Sequence, residues 1–337
     1  MVFYAHITAG YNMHVHGLLG LHTDFGSIQF FISNIGVFGV EIFFFLSGFV
    51  ILKSSMKENA KTFFVRRFFR IYPIFFLFSI VFIVGNIITG MEPEKNNIGS
   101  ILLALSFTNL FFDSPALTPN SWSVVYEVWY YFGLYYVVSI FVRKEKTSII
   151  GILSVLVLLW FVVTKPITIY FLLGALTAFN INKIEFFINR FKAIWVNSLS
   201  LLSIVVLVYL VSQGIKFGHG GWLESISSNA FFLPTLLLIS VAFTFHKGSN
   251  VNHILTNKTL VFFGNISYTL YLLHPYTYRA SRYLIGIVDF QHQEVRFLVF
   301  LILSSLVTFF ASYILGRFFE MPIYRRFSKK DIYNSSN

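Results

Sequence analysis

The sequence predicts an all-α protein, a polytopic transmembrane helix bundle with about ten spanning helices, the first one truncated. Three observations carry that expectation. Apolar runs recur from one end of the 337 residues to the other, with no soluble-looking block between them. The composition is 56% hydrophobic and only 12% charged, about half the charge of an ordinary soluble domain. The basic residues gather in short loops between the apolar runs rather than along one continuous face, so the formal charge of +11 is read as membrane topology and not as a nucleic-acid footprint. Residues 1–337 are accordingly read as a single integral-membrane domain.

Taken in order, a spanning helix needs about 20 apolar residues, and Met1 to Gly10 supplies half of that before a polar, glycine- and histidine-rich stretch from Tyr11 to Ser33. The first helix is therefore expected to be cut short. No basic leader with a small-residue cleavage site is visible. Spans are then expected at roughly 35–52, 71–90, 121–142, 148–164, 166–180, 196–213, 226–245, 260–276 and 295–316, with a shorter apolar piece at 101–112. Residues 53–70 read as a basic loop, and Pro73 reads as a first-turn residue of the helix that follows. Loops 53–70, 143–147, 181–195 and 246–259, with the tail from 317, hold 19 of the 25 lysines and arginines. That asymmetry puts both termini in the cytoplasm of a bacterial inner membrane. With no cysteine there is no disulfide framework and no thiolate nucleophile.

Ionisable residues inside apolar spans are costly and usually functional. Glu41 lies among Phe43, Phe44 and Phe45, about six residues below the expected outer start of its helix, roughly 9 Å. Glu127 is about as far inside Ser121, and His6 and His274 are expected near the outer ends of their own helices. Four groups on four helices thus share one expected depth. A histidine with a carboxylate partner is suited to taking a proton from a hydroxyl. Trp122, Tyr126, Trp129, Tyr130 and Tyr131 surround Glu127; an interfacial aromatic belt accounts for most of them, and Trp122 and Tyr126 are taken, with His274, as candidates for binding an acceptor. His219 and His292 fall in outer loops and are expected to be solvated. His14, His16 and His22 fit no standard metal spacing, there is no HExxH, and no metal is expected. On the opposite face, Arg67 and Arg70 are three apart and share a face if helical. Paired guanidinium groups suit phosphate, which points to a cytosolic phosphorylated cofactor.

The same residues carry a resemblance to the acyltransferase-3 family of multipass membrane acyltransferases, which act on cell-envelope and other carbohydrates. GVFGVEIFFFLSGFVI (Gly36–Ile51), FFVRRFFRIYP (Phe63–Pro73), NSWSVVYEVWYY (Asn120–Tyr131), FLLGAL (Phe171–Leu176), GNISYTLYLLHP (Gly264–Pro275) and FEMP (Phe319–Pro322) resemble its motifs, in family order. The resemblance implies transfer of an acyl group, usually acetyl, from cytosolic acetyl-CoA to a hydroxyl of an extracytoplasmic polysaccharide or lipid-linked glycan such as O-antigen or exopolysaccharide. It implies that His6 is the base or acyl carrier, Glu41 and Glu127 the pocket acids, and Arg67 and Arg70 the coenzyme-phosphate contacts. The family's basic residue some eleven positions ahead of that histidine would precede Met1, in keeping with a truncated first helix. A transporter or flippase of a lipid-linked glycan or small anion is the competing reading, because buried ionisable residues are expected there too; against it, no internal symmetry is visible.

Overall fold

The protein's structure, a computed structural model, describes residues 2–8, 11, 26–90, 92–118, 120–146, 148–244 and 250–328. It is all-helical, 84% helix, with no strand among the described residues. The helices are α1 (residues 2–8), α2 (Gly26–Val37), α3 (Gly39–Ser55), α4 (Ala60–Thr89), α5 (Ile98–Leu105), α6 (Ser121–Val137), α7 (Ile149–Thr164) and α8 (Ile169–Ile188). They continue with α9 (Ala193–Ser212), α10 (Trp222–Ser227), α11 (Phe232–Thr244), α12 (Asn250–Leu255), α13 (Lys258–Asn265), α14 (Ser267–Gly286), α15 (Gln293–Leu315) and α16 (Met321–Ser328).

Six segments among the described residues are long and apolar enough to cross a membrane: Phe30–Ser55, Ala60–Thr89, Ser121–Val142, Pro166–Ile188, Ala193–Ser212 and Glu294–Ser328. The chain is thus a multi-pass membrane protein, and six rather than about ten segments meet that measure. Ile149–Thr164 and Asn229–Thr244 are apolar but shorter; the 16 residues of α7 extend about 24 Å, less than a hydrocarbon core of about 30 Å. The expected span at 260–276 is broken at Ile266, and α14 runs on through Pro275 to Gly286. His274 therefore lies about 18 Å from the end of its helix, and not within a turn of it as the sequence led us to expect.

By backbone contacts the chain divides into two compact units, interleaved in sequence. The first holds α2, α3 and Trp129–Gly264; the second holds His6, Lys61–Val128 and the chain from Asn265 onward. In the first unit α3 packs along α8 at backbone distance. A Cβ on Gly48 would lie 2.0 Å from the carbonyl oxygen of Phe171, and one on Gly174 would lie 1.9 Å from that of Phe45. Small residues that let helix backbones touch are the usual means of membrane helix packing. Phe171 then stacks on Phe44 at 4.3 Å and on Tyr130 at 4.1 Å between ring centroids. At the end of α3, Arg143 Nη1 donates to the carbonyls of Ser55 and Glu58 at 3.2 and 2.8 Å, where a cation complements the helix dipole.

In the second unit α4 corrects the expected loop. Only residues 56–59 separate α3 from α4, and Pro73 lies inside a continuous helix instead of starting one. Proline removes one backbone hydrogen bond and crowds the preceding turn, about 3 kcal/mol in a helix interior. Ending the helix in a membrane would strand several more backbone groups, and Phe63, Ile71, Ile74 and Phe75 are buried on both sides of the proline. Helix α14 is bound to α4 by Tyr268 and Tyr276, whose hydroxyls donate to the carbonyls of Ile71 and Phe78 at 3.0 and 2.8 Å. It is bound to α15 by a hydroxyl pair, Thr277 Oγ1 to Thr308 Oγ1 at 2.5 Å.

Candidate functional site

Polar side chains converge at three places, two in the second unit and one in the first. The first convergence is built by α1, the start of α6 and the middle of α14. His274 is fully buried, and its Nδ1 lies 3.1 Å from the carbonyl oxygen of Leu270, one turn earlier. A carbonyl only accepts, so the ring proton is on Nδ1 and Nε2 is left as an acceptor, facing Asn120 Nδ2 at 3.4 Å. Asn120 is held by a second bond, Nδ2 to the carbonyl of Tyr271 at 2.6 Å, while the Tyr271 hydroxyl returns to the carbonyl of Asn120 at 3.0 Å and meets Ser123 Oγ at 2.7 Å. Asn120 Oδ1 is buried with no hydrogen-bond partner among the described residues.

Against this fixed frame stands His6, its ring centroid 5.0 Å from that of His274 and edge-on at 67°. Two of the predicted site residues are thus neighbours. Glu127 is buried one turn beyond Ser123 on α6, and the spacing of Asn120, Ser123 and Glu127 puts all three on one face. Trp122 and Tyr126 lie edge to face at 6.1 Å, Tyr126 buried and Trp122 half-buried. Tyr130 belongs to the packing described above: its hydroxyl donates to the carbonyl of Thr168 at 3.3 Å.

A second convergence involves the arginines. The segment that carries them is helical, so Arg67 and Arg70 do share a face. Arg70 Nη1 lies 3.3 Å from Glu320 Oε1, and the other oxygen of that almost fully buried carboxylate accepts from Thr269 Oγ1. Sequence reasoning missed Glu320 as a partner, although an acid in the FEMP segment at the end of a membrane helix was a signal. Arg67 has its guanidinium over the ring of Phe63 at 5.5 Å.

The third convergence corrects an expectation. Glu41, 1% exposed, opens the first turn of α3, and His219 Nε2 is 2.8 Å from its Oε1. His219 is partly exposed as a loop residue should be, yet it is not simply solvated. The pairing links positions 178 apart in sequence, which no local pattern reveals. His292 is exposed. His14, His16 and His22 lie outside the described residues, and among those described no three histidines or acids converge as metal ligands.

Several long apolar helices with buried ionisable and amide side chains packed among them define the class, a multi-pass membrane protein. Which member of that class follows from comparison. Residues 1–317 match the acyltransferase-3 family, described as an acyltransferase domain, and the chain belongs to that family. Peptidoglycan O-acetyltransferase OatA of Listeria monocytogenes is 26% identical over 282 residues, covering 71% of this chain and 44% of the relative. The putative peptidoglycan O-acetyltransferase YrhL of Bacillus subtilis is 23% identical over 348 residues, covering 88% and 52%. The chain thus spans about half the length of the curated relatives it matches. No solved structure matches it.

Proposed function

We propose that the protein is a membrane O-acetyltransferase of the bacterial inner membrane, moving an acetyl group from cytosolic acetyl-CoA to a hydroxyl of an extracytoplasmic envelope polysaccharide. The observation that carries this reading is His6 packed against His274, whose tautomer is set by the carbonyl of Leu270 and the amide of Asn120. A half-buried histidine so placed, against a fixed and fully buried neighbour, is suited to acid–base or nucleophilic work. The named activity of both relatives agrees, and favours a peptidoglycan-type acceptor over O-antigen, exopolysaccharide or another lipid-linked glycan. Of the about ten spans expected from sequence, α1, α7, α11 and α14 would cross or enter the bilayer alongside the six long segments, with both termini cytoplasmic.

In the proposed reaction His6 takes the proton of the acceptor hydroxyl as its oxygen attacks the thioester carbonyl, and returns it to the departing thiolate. In the alternative route His6 accepts the acyl group on a ring nitrogen first and passes it to the acceptor. Glu127 is the proposed pocket acid, and Trp122, Tyr126 and His274 contact the acceptor; Glu41, expected from the sequence as the second pocket acid, acts through its pair with His219. Arg67 and Arg70 fit a phosphorylated donor by charge and by their common helical face, although Arg70 also serves Glu320. The donor supplies the activated acyl carbon; His6, Asn120 and His274 supply orientation and proton transfer.

The test is substitution of His6 by Ala, with mass spectrometry of the surface glycan. The expected outcome is loss of acetyl mass with glycan amount intact, and transfer slowed by about 10²- to 10⁴-fold in purified protein. Undiminished acetylation overturns the role of His6, and loss of the glycan itself favours transport.

A further inference from the structure

Glu41 is buried, and its second oxygen, Oε2, has no hydrogen-bond partner among the described residues. Leaving a buried carboxylate oxygen unsatisfied is costly. Its partner His219 stands on a loop that the fold holds in place. Gly218 has a φ of +83°, a conformation that suits glycine. Its backbone is so close to Ile167 that an added Cβ would lie 2.3 Å from the Ile167 nitrogen. The Gly218 N–H donates to Ser225 Oγ at 3.1 Å, and Trp222 Nε1 donates to the carbonyl of Val162 at 3.1 Å. With Nε2 engaged by Glu41 Oε1, Nδ1 is the ring nitrogen of His219 left to meet a ligand.

This histidine lines a cavity of about 500 Å³ together with Lys216, Glu224, Ser228 and Asn229. That volume lies within the range of about 300 to 1,000 Å³ usual for small-ligand sites. Lys216, His219, Glu224, Ser225, Ser228 and Asn229 bring hydrogen-bonding side chains to its wall, while Ile215 and Ala230 are its apolar side chains, and no Phe, Tyr or Trp is among the described residues that line it. An acyl chain or a lipid tail would leave those groups unpaired. A ligand carrying many hydroxyls would satisfy them.

We propose that the Glu41–His219 pair and the cavity beside it form a saccharide-recognition site, which grips sugar units of the glycan chain through hydroxyl and amide groups. The proposal rests on the reading that the protein handles an envelope polysaccharide, and gives that reading a site for the sugar distinct from the residues that react. Glu41 fixes the proton and orientation of His219, making it a positioning residue, while His219, Glu224 and Asn229 meet the ligand.

The test measures binding of two soluble saccharides, N,N′-diacetylchitobiose and lactose, to the full chain in detergent by saturation-transfer NMR, with no turnover required. Binding of at least one sugar is expected, weakened at least tenfold by His219→Ala and by Asn229→Trp, which fills the cavity from an exposed position. Glu41→Gln should weaken it too, with His219 less firmly held. No binding of either sugar, or equal binding in His219→Ala and Asn229→Trp, overturns the proposal. The two readings fail separately. Sugar binding with this pattern in a protein that acetylates no glycan sinks the enzymatic reading alone. Acetylation with an unchanged acceptor KM in His219→Ala and Asn229→Trp sinks the recognition site alone.

Discussion

Arg70 and Glu320 form an unequal pair, and the inequality tells what each is worth. The Glu320 side chain is 1% exposed, whereas that of Arg70 is 22% exposed and can rehydrate. Removing the cation leaves a buried carboxylate with Thr269 as its remaining partner among the described residues, a loss of about 3 to 5 kcal/mol for a buried pair. Glu320→Gln keeps the hydrogen bond to Thr269 and leaves an arginine with access to water, so it should cost less, about 1 to 3 kcal/mol. Thermal unfolding in detergent should therefore rank Arg70→Met below Glu320→Gln, with the double variant better than the sum of the two. Equal losses would mean that the pair is not the support of this corner. Arg67 lies over the ring of Phe63 on the same helical face, and its substitution by Ala should lower acetyl-CoA affinity by about tenfold or more if it holds a phosphate. An unchanged affinity in Arg67→Ala and Arg70→Met reduces the basic cluster to a topological anchor.

At the scale of helices, glycines with the same name have opposite meanings. Gly48 and Gly174 sit where α3 and α8 touch, each blocked by a backbone carbonyl of the other helix, so a side chain can be admitted only if the helices separate. Gly85, inside α4, has nothing within 4 Å of where a Cβ would go. Gly48→Ala should destabilise by about 1 to 3 kcal/mol or more, while Gly85→Ala should stabilise by up to about 1 kcal/mol because alanine loses less freedom in a helix. Opposite shifts in melting temperature are expected, and a neutral Gly48→Ala would refute the tight crossing. The motifs SGF and FLLGAL were legible in sequence, but that their glycines face one another was not, because the contact is made between segments more than a hundred residues apart. Apolar runs located most helices within a few residues, since burial in lipid or protein needs only composition and length. Breaks and continuations were less legible. Pro73 looked like a boundary because local chemistry disfavours proline in a helix interior, and packing on both sides overrode that preference. His219 looked solvated because its tie to Glu41 depends on the fold alone.

At the scale of the whole molecule, the distribution of lysine and arginine makes a statement about the membrane that the chain can be made to answer. Helix α9 has 20 residues, about 30 Å of rise, which matches the hydrocarbon core. Lys192 immediately precedes it on the basic side, and Asn229 lies beyond its other end in the segment that lines the sugar-sized cavity. Positive loops face the cytoplasm, so Lys192 should be inside and Asn229 outside. The native chain has no cysteine, so each position can carry a unique thiol. Both side chains are exposed. A membrane-impermeant maleimide applied to intact cells should label Asn229→Cys, and should label Lys192→Cys only after the membrane is opened. The reverse pattern would place the basic loops outside and would put the His219 cavity on the cytoplasmic face, away from any envelope glycan. Labelling of both positions in intact cells would mean that α9 does not cross. The expected pattern satisfies two independent requirements at once, charge inside and the proposed sugar site outside, and neither requirement was used to derive the other.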